Sequence, residues 1–81
     1  MRSVWLRLPD FHYLLKSYPR IVGCVCHLMD DKEEWFNKAG DKWSVTYQTA
    51  GEFEYSLSYW KDRIGFVECS EEEAKEFLCL L

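Results

Sequence analysis

The sequence predicts an α+β domain: a small antiparallel sheet of three to five strands with two or three helices packed on one face, in the order β-α-β-(α)-β-β-β-α. Three observations carry that expectation. Between Trp43 and Trp60, Trp43, Val45, Tyr47, Phe53, Tyr55, Leu57 and Tyr59 fall on one parity, and Ser44, Thr46, Gln48, Glu54, Ser56 and Ser58 on the other. Period-two alternation of this length marks two half-buried strands, one face in the core and one in water. The run Ile21 to Met29 is apolar on both parities, as in a strand covered on both sides. The last twelve residues open on Ser70-Glu71-Glu72-Glu73 and carry Ala74, Phe77, Leu78 and Leu81 at helical spacing. The 81 residues suffice for a single compact domain, 1–81, with one core.

The elements follow in order. Val4, Leu6 and Leu8 alternate with Ser3, Trp5 and Arg7, which predicts a short first strand. Pro9 and Asp10 then open a helix whose stripe is Phe11, Leu14, Leu15 and Tyr18, and Pro19 stops it. After the apolar strand, Asp30 to Gly40 has helix signals at both ends: Asp30 or Asp31 as cap, acids in the first turn and Gly40 for a left-handed end. It is short enough to be an ordered loop instead. The alternating region folds as a hairpin on a three-residue loop, Ala50-Gly51-Glu52, which opposes Tyr47 to Tyr55 and Trp43 to Tyr59. A turn at Lys61-Asp62 leads to a last strand, Arg63 to Cys69, returning Ile64 and Phe66 to the core face. Ser70 and Glu73 then form a capping box for the final helix.

Charge and composition narrow the function classes. The net charge is −4, and it is uneven: residues 1–40 carry six Lys/Arg against five Asp/Glu, residues 41–81 four against nine. An acidic second half argues against direct nucleic-acid binding, which needs a cationic stripe. It suits a protein partner with a basic surface. Four Trp, five Tyr and five Phe are many rings for a core of this size, so Trp60, at the edge of the polar sheet face, is a candidate exposed contact ring, as are Trp5 and Trp35, with core burial as their alternative. Burial in a homodimer is the second account of the surplus rings. No apolar run is long enough to span a bilayer, and Arg7 and Pro9 interrupt any signal-peptide core. The expectation is therefore a cytoplasmic protein with Cys24, Cys26, Cys69 and Cys79 as free thiols.

Few constellations suggest chemistry. Cys24, Cys26 and His27 resemble a metal cluster only in composition. On a strand His27 points away from the cysteines, so small buried residues in a central strand is the simpler reading and no metal or other cofactor is expected. The same geometry opposes a Cys-His nucleophile, and Gly23, Gly40, Gly51 and Gly65 are too scattered for a phosphate loop. No catalytic residue is expected. Glu71, Glu72 and Glu73 are explained by the helix macrodipole, but Glu52, Glu54, Asp62, Glu68 and Glu76 are not.

In size, charge and compact α+β pattern the chain resembles the small acidic inhibitors that phages and bacteria make against nucleases: anti-CRISPR proteins, DNA mimics and toxin-immunity proteins. What that resemblance implies is a phage-type, non-catalytic protein, acting in the host cytoplasm, that inhibits or masks a basic, nucleic-acid-handling partner. Its contact residues would be Glu52, Glu54, Ser56, Ser58, Trp60, Asp62, Glu68, Glu72 and Glu76. A homo-oligomeric accessory domain is the alternative, followed by a thiol or metal protein centred on Cys24 and Cys26.

Overall fold

A computed structural model describes residues 2–12, 15 and 21–81 of the chain. It shows an α+β fold with a five-stranded antiparallel sheet. The strands are β1 (Ser3–Arg7), β2 (Val25–Met29), β3 (Lys32–Ala39), β4 (Lys42–Thr49) and β5 (Val67–Cys69), arranged β4-β3-β2-β1-β5. Helix α1 (Phe53–Ser58) runs directly into a π-helical turn, Tyr59–Ile64, and α2 (Glu71–Leu80) follows β5. The helix expected after Pro9 falls mostly outside the described residues; of its stripe, Leu15 is buried and Phe11 is exposed.

Residues Lys32 to Ala39 are a strand, not the helix their acids and Gly40 suggested. Gly40 does take a positive φ, 64°, but it uses it in a two-residue turn with Asp41 that folds β4 back onto β3. Glu33 and Trp35 then point inward at alternate positions, a period-two signal masked by the charged residues around them. β4 therefore pairs with β3, Trp35 opposite Thr46 and Phe36 opposite Val45, and not with residues 53–59.

Residues Phe53 to Ser58 are helical, correcting the second hairpin strand. Phe53, Ser56, Leu57 and Trp60 sit at i, i+3, i+4 and i+7, so the segment satisfied a helical stripe as well as an alternating one. The Glu52 carboxylate decides between them, accepting the backbone N–H groups of Glu54 at 3.1 Å and Tyr55 at 2.9 Å. The π turn ends at Gly65, whose φ is 106°, and the amides of Gly65 and Phe66 both donate to the Trp60 carbonyl. The last strand is shorter than expected and pairs with β1, Trp5 opposite Cys69. Phe66 is buried as predicted, against Trp35 and Trp60.

The sheet register assigns the two helical units to opposite faces. Leu6, Cys26, Leu28 and Trp35 share one face with Phe53, Trp60 and Phe66 of the α1 unit. Val25, with Trp5 and Phe36 beside it, packs against Ala74, Leu78 and Phe77 of α2 on the other. The expected one-sided helical layer is thus a layer on each side. Gly23 lets β2 and β3 approach where they meet: a Cβ there would lie 2.6 Å from the Phe36 carbonyl oxygen, which accepts the Cys24 amide at 2.8 Å.

A single helix about 10 Å wide covers about two strands spaced ~4.8 Å apart. On the α2 face that width is centred on Trp5 of β1 and Val25 of β2. It leaves β4 bare: Trp43, Val45 and Tyr47, expected in the core, are 46, 44 and 60% exposed. Tyr55 of α1 is also largely in water.

Candidate functional site

Glu33 organises the most distinctive polar site. It lies on the α1 face of β3, and only 6% of it is exposed. One carboxylate oxygen accepts the Trp35 indole N–H at 2.8 Å, the other the Trp60 indole N–H at 3.0 Å. The two indoles meet edge to face, with centroids 4.7 Å apart. Among the described residues no Lys, Arg or His lies within ion-pair distance of this carboxylate. A buried anion held only by neutral donors keeps unfilled acceptor capacity, since a carboxylate offers about four lone-pair positions.

That capacity faces a cleft of about 450 Å³ between the β3–β4 end and the α1 unit. Gln48 and Thr49 line one side, Ser56, Tyr55, Tyr59 and Trp60 the other. The π turn positions Trp60 here. Its wider backbone turn carries the indole inward toward Glu33, in keeping with the frequent use of such turns at functional sites.

The residues nominated from sequence are distributed unevenly around this cleft. Trp60 and Ser56 reach it, but as buried walls, 5 and 6% exposed, and not as the surface ring and surface hydroxyl expected of them. Trp35, also read as an exposed ring, is fully buried, and Trp5 stacks on His27 at 4.2 Å. Glu52 caps α1, Glu54 pairs with Arg2, Ser58 donates to Asp62 at 3.1 Å, and Glu68 pairs with Lys61 at 2.9 Å. The Glu68 bond raises the Lys61 ammonium pKa. Glu72 and Glu76 are exposed on α2, across the sheet from the others. The acids therefore divide between two layers, and four of the six, Glu52, Glu54, Asp62 and Glu68, are engaged locally.

Glu33 was missed, along with Tyr55 and Tyr59 as cleft walls. The only available signal was Glu33 one position from Trp35 on the same parity, readable only once this segment is taken as a strand.

The cysteines offer no competing centre among the described residues. Cys26 is fully buried, and burial first, then the Glu33 and Glu34 charges, push its thiol far above the ordinary range. The Cys24 thiol donates to the Asn37 side chain at 3.3 Å. His27 donates instead to Glu34 at 2.9 Å, on the opposite face from Cys26. Among the described residues no three His, Cys, Asp or Glu side chains converge as a metal ion requires. No family model, curated protein or solved structure matches the chain.

Proposed function

We propose that the chain is a non-catalytic binding domain that accepts a cationic side chain, Lys or Arg, of a protein partner in the Glu33 cleft. The observation that carries this is a buried carboxylate with two neutral donors, no counter-cation among the described residues, and open lone pairs on a cleft. An ammonium or guanidinium supplies the missing donors. Tyr55, Tyr59 and Trp60 supply ring faces that attract a desolvated cation. A phosphate-mimicking mask would gather its acids on one side. With the acids divided between two layers, one buried anion is the better-supported means of recognition.

Titration of intrinsic tryptophan fluorescence with N-acetyl-lysine methylamide and its neutral norleucine counterpart tests this. The lysine probe is expected to bind in the millimolar range and the neutral one not to bind. Tyr55→Ala, at a ring largely in water, should fold normally and weaken lysine binding several-fold. Equal binding of both probes would overturn the proposal.

A further inference from the structure

We infer that the partner is a second copy of this chain, joined through β4, whose Lys42 reaches the Glu33 cleft; its lysine arm rests on the cleft reading above, its sheet-edge arm does not. β4 ends the sheet, and all eight of its residues are exposed. Long, open edge strands are usually blunted by proline, bulges or several charges. β4 has no proline, an unbroken register with β3, and a single charged residue, Lys42 at its start.

The backbone parity of this edge is determined. The two-residue Gly40-Asp41 turn makes Ala39 and Lys42 a hydrogen-bonded pair, so Asn37–Ser44, Trp35–Thr46 and Glu33–Gln48 are bonded pairs as well. The Ala50 amide donating to the Asp31 carbonyl, 3.2 Å, continues that alternation. Trp43, Val45 and Tyr47 thus turn their own N–H and C=O groups outward. These residues also carry the apolar side chains on the bare face.

The edge is self-complementary about Val45. An antiparallel copy placed on a two-fold axis there opposes Val45 to Val45 and Trp43 to Tyr47, all as hydrogen-bonded pairs with side chains on the same face. Every apolar residue meets an apolar residue. Register shifted by one position on each strand would set Trp43 against Thr49. With 46% of Trp43 and 60% of Tyr47 in water, each ring leaves about 100 Å² to bury. Phe36, Lys32 and Lys38 border the same patch, their ammonium groups 5.3 Å from the Tyr47 centroid and 5.9 Å from that of Trp43.

The same register acts on the α1 face. Lys42 of the second copy falls opposite Gln48 in a non-hydrogen-bonded pair, where side chains approach most closely. Gln48 lies opposite Glu33 in the β3–β4 ladder and lines the cleft. A lysine side chain one strand beyond Gln48 reaches the cleft that holds an anion without a cation. The dimer therefore completes each Glu33 site with a charge from the other chain.

Sedimentation velocity between 1 and 200 µM, with position-specific cross-linking, tests this. The chain is expected to dimerise, and Val45→Pro and, separately, Val45→Lys to be monomeric; position 45 donates nothing to β3, so the proline removes only an outward N–H. Lys42→Ala should weaken the dimer at least tenfold. Oxidised Lys42→Cys/Gln48→Cys protein should yield a dimer with a 42–48 disulfide by mass mapping. One chain cannot close that bond on itself, because the positions lie about 20 Å apart along one strand. A wild-type monomer at 200 µM, or a dimer that survives both Val45 variants, overturns the interface. A β4 dimer indifferent to Lys42→Ala overturns the lysine arm alone. Amine-probe binding to the monomeric variants then reports on the cleft separately.

Discussion

Glu33 contributes to the fold before it contributes to any site. Its two oxygens satisfy the two indole N–H groups that the core must bury. Removing the acceptor strands both donors, and an unsatisfied buried polar group costs about 1–3 kcal/mol. Glu33→Ala should therefore lower unfolding free energy by about 3 kcal/mol, read from urea unfolding, against near zero for Glu54→Ala, whose ion pair with Arg2 is exposed. In the Glu33→Ala background, Trp60→Phe should cost less than in the wild type, because one stranded N–H disappears with the indole. A Glu33→Ala protein as stable as the wild type would show that the indoles find other acceptors.

Among the elements, α2 was the most legible because its signals are local. Ser70 accepts the Glu73 amide at 3.1 Å and Glu73 accepts the Ser70 amide at 3.0 Å, the capping box read directly from four adjacent letters. The backbone N–H and hydroxyl of Ser70 hold the Glu73 carboxyl below its usual range, and Lys75 does the same for Glu71. A depressed carboxylate pKa stabilises the folded state above the unfolded group's range, and that contribution is lost as pH falls through the folded value. The α2 helix should thus weaken first below about pH 4.5, and Glu73→Gln should flatten that limb of a circular-dichroism acid titration. Ser70→Ala should cost about 1 kcal/mol at neutral pH. By contrast, β3 and α1 exchanged types for reasons no local window contains. Phe53, Ser56, Leu57 and Trp60 fit a helical stripe, and Phe53, Tyr55, Leu57 and Tyr59 fit a strand, until the Glu52 cap and the absence of a partner strand select the helix. Glu33 reads as a first-turn helix acid until Trp60, twenty-seven positions away, supplies the reason to bury it. The fold class and the strands β1, β2, β4 and β5 were visible in the chain; the cleft was not, because it is built from contacts between two misread segments.

Among the described residues, the domain spends its two short helices on opposite faces and has none left for β4. The alternation of Trp43, Val45 and Tyr47 was read correctly as a strand with one apolar face, and incorrectly as a face that this chain itself covers. That difference makes the β4 ladder measurable amide by amide. The N–H groups of Ser44, Thr46 and Gln48 point to β3, so they should be protected from hydrogen exchange at every protein concentration. Those of Trp43, Val45 and Tyr47 point outward and should exchange rapidly in dilute protein. Their protection should rise with concentration in step with dimerisation, while in Val45→Lys the Trp43 and Tyr47 amides stay fast throughout. Protection of the outward set that does not change with concentration would mean that something within the chain already pairs this edge. Equal exchange of both sets in dilute protein would mean that β3 does not hold β4 in this register, and the symmetry about Val45 would fall with it.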